Sequence, residues 1–425
     1  MKRWLLFAVP CFCLFVSLGA LSAIWLPNTR PFSSLKPEQQ AALAKLRSGE
    51  NRLDRSMNIL VLGTDVVASK QSTKTGFRAA TSSLDGRSDT ILLAHLDPEN
   101  NKVNVLSIPR DSRFTIEGVG KRKANEANQR GGILLAAPTI SQNLNDVPID
   151  RYVRINTLGV IDLVNALGGV RVYLPKAIKY SDDSQHLYIN IAQGWQTLGG
   201  LDAQKFMRFR HDELGDIGRV QRQQQVIKAL AQKVASPDVL TRLPQIVEVL
   251  KANIDTDLSL EDLLSLAQFG LRVKPDKDLQ LVMLPGRFSR PGEFNASYWL
   301  PTENRIPSIV NQYFAWGDNQ TDSTDLRPSQ IRIVLQNCSG DPTALQAARK
   351  LLRKQGFTNL GTLSDQIDPI WHTEIVAQQG EKGPAELVQQ ELGLGDIKVE
   401  ATGNILSDVT VKIGKDWAAA KSNKV

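Results

Sequence analysis

The sequence is short of the residues that thiol and soft-metal chemistry needs. Its 425 residues hold 3 cysteines and 4 histidines. Cys11 and Cys13 lie in an apolar N-terminal run, and Cys338 stands alone in the rest of the chain. This excludes an intramolecular disulfide and a cysteine-based metal site beyond that run. The histidines show no metal-ligand spacing, and only His211 falls inside a charged motif. Aromatics make up 6% of the chain. With no aromatic–basic interleaving and no helix-turn-helix signature, nucleic acid is not an expected partner. No G-x-x-x-x-G-K-S/T loop, G-x-S-x-G elbow, C-x-x-C or H-E-x-x-H occurs, so Walker-type, elbow-serine and zincin chemistries are excluded. There is no internal repeat and no low-complexity tract.

What is present begins with an address. Lys2-Arg3 precede an apolar run, residues 4–26, without a charged side chain. Such a run crosses a hydrocarbon core of about 30 Å as a helix. It exceeds the usual signal-peptide core of about 7–15 residues. It therefore reads as an uncleaved anchor with Lys2-Arg3 cytoplasmic. A cleaved signal peptide with a site near Ala20-Leu21-Ser22-Ala23 is the alternative, and either one exports the body of the protein. The net charge of +7 is modest for this length. Hydrophobic content of 42%, with 20 prolines and 30 glycines, is that of globular protein.

The expected fold class is α/β: a central mixed sheet covered by helices, a smaller C-terminal α/β domain, and an N-terminal transmembrane helix. After a spacer over 27–56, buried strands are expected at 58–63, 90–95 and 103–108, with a turn at 97–101. Residues 66–85, rich in Ser, Thr, Lys and Gly, read as a long loop. Helices are expected at 132–143, 158–167 and 219–235, and a helical turn at 202–210. Gly168-Gly169 ends the second helix as a C-cap, and a strand follows at 170–174. Two further helices and a strand at 279–284 are expected over 240–314. The larger domain spans 57–317, with its motifs within 57–235. A polar linker covers 318–329. The small domain, 330–417, has strands expected at 331–335, 374–377, 397–400 and 409–413 and helices at 343–355 and 384–392. It shows no cluster of catalytic residue types and reads as a binding or spacing module. A chain ending near Asp325 is expected to keep the chemistry.

Three short runs carry the charged residues that matter. They are Gly86-Arg87-Ser88-Asp89-Thr90, Ser107-Ile108-Pro109-Arg110-Asp111, and Arg208-Phe209-Arg210-His211-Asp212 continuing through Asp216 to Gln223. Arginine makes bidentate contacts to phosphate, and Asp holds hard cations such as Mg²⁺ against phosphates. Asp65 ends one expected strand and Asp89 begins the next, at the sheet edge where ligands sit in α/β folds. Arg208 and Arg210 are two apart and share a side if the chain is extended there. Arg219, Arg222 and Gln223 are spaced i, i+3, i+4 on one helix face. Together these runs point to a pyrophosphate–metal site rather than a solvated salt-bridge network.

On these residues the chain resembles the LytR-CpsA-Psr family of membrane-anchored cell-envelope phosphotransferases. The matching runs are 58–65, 86–94, 106–111, 123–125, 131–132, 147–152, 159–170, 194–210 and 216–227. Residues 329–415 resemble the small C-terminal domain of some members. The resemblance implies a glycopolymer carried on polyprenyl pyrophosphate, transferred as glycosyl phosphate to a peptidoglycan hydroxyl, with polyprenyl phosphate released. It implies Mg²⁺ at the pyrophosphate, held by Asp65 and Asp89, and a lipid tail in an apolar groove between sheet and helices. Asp85 is the fallback ligand, since the loop after Asp65 is long. Arg87, Arg110 and Arg210 match catalytic positions, together with Asp89. Arg208, Arg219, Arg222, Gln223 and Lys123 match substrate-contacting or site-organising ones. Asp111 matches the acid of a Pro-Arg-Asp motif. The general base is left open between Asp89 and Asp111. A lipid-pyrophosphate hydrolase and a non-enzymatic envelope regulator are the competing functions.

Overall fold

The structure is a computed structural model. It describes residues 53–64, 84–183, 187–209, 216–236, 239–317, 327–363, 369–401, 403–404 and 407–417. The expected anchor at 4–26, Asp65, Arg210, His211 and most of the 66–85 loop and 318–329 linker lie outside these residues. Among the described residues no helix is long and apolar enough to cross a membrane.

The apolar runs become the centre of a six-stranded sheet. β1 (Met57–Thr64), β2 (Ser88–Asp97) and β3 (Lys102–Ile108) are its middle. A short hairpin follows, β4 (Arg113–Ile116) and β5 (Gly120–Lys123), and then β6 (Arg151–Asn156). Two more antiparallel pairs form outside the sheet from β7 (Val170–Leu174), β8 (Ile178–Asp182), β9 (Leu187–Ile191) and β10 (Gly194–Leu198). β11 (Ile254–Thr256) and β12 (Leu279–Met283) close its two edges, and β13 (Gly286–Phe288) pairs with β14 (Trp299–Pro301). The strand order is β11-β6-β1-β2-β3-β12. β1 runs parallel to β6, and β3 parallel to β12, while β2 is antiparallel to both β1 and β3. Four strands therefore end at one edge. Thr64 pairs with Ser88 there, so the start of β2 joins the same rim.

Alternation along β1 explains why both faces are covered. Leu60 and Leu62 point into a core with Ala136 and Ile140 of the helix Glu126–Asn143 and Ile309, Val310 and Phe314 of the helix Ile306–Phe314. Met57 and Ile59 point to the other face, against Phe269 of the helix Leu260–Arg272. The helix Thr157–Ala166 begins with Asn156 accepting from the Gly159 amide at 2.7 Å, an N-cap bond. Gly168 and Gly169 end it with φ of +79° and +87°, which glycine adopts without a Cβ clash. Helices Gly200–Arg208 and Asp216–Val234 pack with β7 and β9 around Phe206, Phe209 and Val226. Over 240–314 the structure has four α-helices, Val239–Asn253 and the short Pro275–Asp278 among them, where two were expected.

The C-terminal unit holds β15 (Ile333–Asn337), β16 (Leu360–Leu363), β17 (Glu374–Ala377), β18 (Asp396–Val399) and β19 (Val409–Ile413), with order β16-β15-β19-β17-β18. Helices Ala344–Lys354 and Lys382–Leu392 complete it. Its core is continuous with the first: Val282, Leu284 and Tyr313 belong to the same buried cluster as Ile333, Ile375 and Val411. Gly380 lies at this seam. A Cβ there would meet Val282 Cγ1 at 2.7 Å, and its carbonyl accepts from the Tyr313 hydroxyl. Cys338 is buried and unpaired, with its thiol pushed up to about 11 by burial, so it is no nucleophile at neutral pH.

Candidate functional site

The rim where β1, β3 and β6 end and β2 begins opens onto a cavity of about 190 Å³. Thr64, Asp89, Arg110, Asn156 and Thr157 line it from the sheet side. Gln204, Met207 and Arg208 enter from the helix Gly200–Arg208, and Arg219 and Gln223 from the helix Asp216–Val234. A smaller cavity of about 30 Å³ adjoins it, sharing Asp89, Arg110, Arg219 and Gln223 and adding Asp111, Val220, Met283, Phe288 and Trp299. Five residues singled out in the sequence thus converge on one space: Asp89, Arg110, Arg208, Arg219 and Gln223.

A chain of charges runs through the rim. Arg110 Nη1 lies 2.7 Å from Asp89 Oδ1, and Arg110 Nε lies 3.5 Å from Asp111 Oδ2. Lys123 Nζ lies 2.7 Å from Asp111 Oδ1. Arg110 and Asp111 are each 19% exposed at the side chain, so these pairs are partly shielded from water and hold their geometry better than surface pairs. Backbone bonds fix the rim: the Asn125 amide donates to the Arg110 carbonyl at 3.1 Å, and the Ser88 amide donates to the Asn125 carbonyl at 3.4 Å. Lys123 reaches the site through Asp111 and does not line either cavity.

The two helices bring the cations. Arg219 sits in the first turn of its helix and is 8% exposed. A cation at a helix N-terminus opposes the helix dipole. Two sources of positive potential there favour an anion in the cavity. Arg222 is equally buried but points elsewhere. Its Nη2 donates to the Phe209 carbonyl at 2.5 Å, and its guanidinium lies 5.0 Å from the Phe209 ring centre. Phe209 is the C-cap of the helix Gly200–Arg208. A cation on that terminal carbonyl is favourable. Arg222 is therefore a site organiser that sets where the chain leaves Arg208, itself the last helical residue and not extended.

Arg87 is exposed on the same rim, with its Nε donating to Gln129 Oε1 at 3.1 Å, and lines neither cavity. Asp85 is 87% exposed and lies 3.5 Å from Arg154 Nη1. Sequence reasoning missed Asn128, whose amide donates to the Leu84 and Gly86 carbonyls at 2.9 and 2.8 Å. It holds the segment leading to Arg87 and Asp89. Its signal was weak: one Asn in a helix, three residues after the matched Lys123-Ala124-Asn125. Thr64 and Gln204 were missed as lining residues because each belongs to an element whose pattern reads as structure, and Asn156 because the strand that carries it was not read.

A cation was expected here. Among the described residues no group of three or more His, Cys, Asp or Glu is placed to hold a metal. Asp89 is the one carboxylate lining the larger cavity among them, beside the hydroxyls of Thr64, Thr90 and Thr157. Mg²⁺ is commonly held by one or two carboxylates, with phosphate oxygens and waters completing its shell. The donor set fits that ion.

Comparison with known proteins agrees with this architecture. A family model described as the LytR_cpsA_psr family matches residues 32–314. A second, described as LytR cell envelope-related transcriptional attenuator, matches 330–417. The chain is 33% identical over 237 residues to the polyisoprenyl-teichoic acid–peptidoglycan teichoic acid transferase TagV of Bacillus subtilis, covering 54% of this chain and 60% of that protein. It is 37% identical over 199 residues to the transferase TagU of Enterococcus faecalis, covering 45% of this chain and 63% of that one. The chain thus spans less than two thirds of these curated relatives. The crystal structure of B. subtilis TagV superposes with a TM-score of 0.52 at 26% identity, over 62% of this chain and 99% of that one.

Proposed function

The chain belongs to the LytR_cpsA_psr family, and from that premise we propose that it is a cell-envelope phosphotransferase. It takes a glycopolymer from a polyprenyl-pyrophosphate carrier and joins it through phosphate to a hydroxyl of peptidoglycan. The observation that carries this reading is the cavity at the sheet rim, lined by the Asp89–Arg110 pair together with Arg208, Arg219 and Gln223. Such a set suits a pyrophosphate, because phosphoryl transfer asks for alignment and charge stabilisation more than for a protein nucleophile.

The acceptor hydroxyl attacks the phosphorus that bears the glycan. The bond from that phosphorus to the bridging oxygen breaks, and polyprenyl phosphate leaves. The proton of the hydroxyl passes to a carboxylate, and Asp89 and Asp111 are the carboxylates that line the two cavities. Arg110, Arg208 and Arg219 orient the pyrophosphate and oppose the charge that grows on its oxygens. Arg210, outside the described residues, is assigned to the same series. Ile155, Val160 and Met207 give the cavity an apolar side where the prenyl chain begins. Asp89, with Asp65 as second ligand, would hold Mg²⁺, which would neutralise pyrophosphate charge. Residues 4–26 anchor the enzyme with the site facing outward. A reporter fused after Val425 is then active outside the cytoplasm and silent inside it.

The test is glycan analysis of the cell wall after deletion of the gene. Phosphodiester-linked glycopolymer is lost, and the wild-type gene restores it while an Asp89→Ala copy does not. Restoration by Asp89→Ala would refute the assignment. The hydrolase reading uses the same cavity with water as acceptor, and predicts pyrophosphate cleavage that is indifferent to added glycan acceptor.

A further inference from the structure

The helix Asp216–Val234 has two polar faces, and only one belongs to the cavity. Arg219 and Gln223 line the site. Gln221, Gln224 and Lys228 lie roughly 150° away around the helix at about 100° per residue. All three of these reach the C-terminal unit. Gln221 Nε2 donates to the Gly403 carbonyl. Gln224 Oε1 accepts from the Ala401 amide at 3.0 Å. Lys228 Nζ lies 2.6 Å from Glu400 Oε1. Glu400 and Gln224 are 8% and 0% exposed, so the Gln224 bonds at this seam are shielded from water.

Gln224 makes the link to the site. Its amide nitrogen donates to Ser107 Oγ at 3.3 Å while its oxygen takes the Ala401 amide. Ser107 lies on β3, three residues before Arg110. One buried side chain therefore joins the helix that bears Arg219, the strand that bears Arg110, and the C-terminal unit. Ala401 itself is buried with Met283, Trp299, Val220 and Phe288. Those four side chains line the smaller cavity beside Asp89, Arg110 and Arg219.

We propose that Glu400, Ala401 and Gly403 of the C-terminal unit are positioning residues for the phosphate site, acting through Gln221, Gln224 and Lys228 on the back of the site helix. The C-terminal unit is then a working part of the site rather than an appended spacer. It sets the distance between Arg219 on the helix and Arg110 on the strand. A displacement of about 1 Å in such a clamp costs on the order of a hundredfold in rate. The proposal rests on the pyrophosphate reading of the cavity.

Arg305 provides the contrast. It also bridges the units, donating to Gln379 at 2.7 Å and pairing with Glu381, and neither of these bonds involves the site helix or β3. The experiment compares full-length Gln224→Met, Glu400→Gln and Arg305→Met with wild type, at a temperature where circular dichroism shows all four folded. Inorganic pyrophosphate binding is measured by calorimetry, and kcat and KM on a soluble lipid-pyrophosphate analogue. Gln224→Met is expected to weaken pyrophosphate binding and to lower kcat tenfold to a hundredfold, with Glu400→Gln smaller in both. Arg305→Met is expected to lose thermal stability and keep wild-type binding and kcat. Folded Gln224→Met with wild-type binding and kcat would overturn the proposal, as would an equal loss in Arg305→Met. A wild type that binds pyrophosphate without turning over the analogue would instead count against the phosphotransferase reading, and the binding series would still decide on positioning.

Discussion

The two sheets treat their strand ends in opposite ways. The six-stranded sheet ends in Thr64, Asp89, Arg110 and Asn156, polar or charged groups crowded around a cavity. In the five-stranded sheet, polar ends are tied off locally. Asp408 takes the Arg332 guanidinium at 2.8 Å, and Asp416 takes the Thr373 amide and hydroxyl at 2.8 and 2.7 Å. The rim pairs, Asp89–Arg110 among them, face open space that a charged ligand can enter. The pairs of the second sheet line neither of the two cavities. The helix Asp216–Val234 lies between the two, with Arg219 facing the open rim and Lys228 paired to Glu400 of the closed one. The contrast assigns chemistry to the first sheet and support to the second.

Removing the second sheet should break this contrast most severely. Sequence alone suggests that a chain ending near residue 325 keeps its chemistry. The continuous core and the buried bonds at Gln224 and Tyr313 lead to the opposite expectation: turnover is lost along with the packing of the Ile306–Phe314 helix. A truncated chain with wild-type circular dichroism and full turnover would show that the sheets are independent.

Next in size is Asp89→Ala in the full chain. It removes one partner of Arg110 and the one carboxylate lining the larger cavity among the described residues. Mg²⁺-dependent turnover should fall by at least about a hundredfold, with the melting curve largely kept. Turnover at wild-type level in low Mg²⁺ would remove the metal assignment. On the proposed reading, Arg219→Ala and Arg110→Ala should each lose a charge-assisted phosphate contact worth roughly 1.5–3 kcal/mol, or about tenfold to a hundredfold in rate. Lysine at either position should restore only part, because it lacks the planar fork.

The support side has its own signature, in acid. Burial alone would push the Glu400 carboxyl up. Lys228, Lys412 and Lys398 outweigh that and hold it below its usual 4.5. A carboxylate lowered on folding adds stability above its unfolded value and loses it as pH falls through the folded one. Unfolding followed by circular dichroism should therefore show an acid limb below about pH 4.5, where the unfolded carboxyl begins to take up its proton. Glu400→Gln should flatten it. An unchanged limb in Glu400→Gln would place the acid sensitivity elsewhere. The smallest effect is expected from Arg353→Ala, on the exposed side of the Ala344–Lys354 helix. Its change in stability should stay within about 0.5 kcal/mol and its turnover should match wild type. Equal losses there and at Arg219 would mean that general charge matters, not this cavity.

How much of this was legible in the sequence follows from what each segment buries. β1, β2, β3, β17 and β19 were read because continuous apolar runs leave few alternatives. β6 was missed because Arg151 and Arg154 break its run; in the fold, Arg154 pairs with Asp255 of β11 at 2.5 Å. β5 was missed because Gly-Lys-Arg-Lys has no apolar residue, and it is held by pairing with β4. The site was legible where arginines and carboxylates cluster in sequence, which placed Asp89, Arg110, Arg208, Arg219 and Gln223. Arg87 is exposed on the rim without lining either cavity, and Arg222, expected as substrate-contacting or site-organising, holds the Phe209 carbonyl. The supporting face of the site helix left one overlooked trace. The segment Val220-Gln221-Arg222-Gln223-Gln224-Gln225 is polar on nearly every side, the pattern of a helix that bridges two units rather than facing water.

The most direct test of transfer is to follow the phosphorus. Purified full-length protein is incubated with a polyprenyl-pyrophosphate glycan labelled at the glycan-linked phosphate, with and without a peptidoglycan fragment, and the products are resolved by mass spectrometry. A transferase moves the label onto the fragment as a phosphodiester and releases unlabelled polyprenyl phosphate, at a rate that rises with acceptor and is lost in Asp89→Ala. Label appearing as free glycosyl phosphate at the same rate with or without the fragment would contradict it.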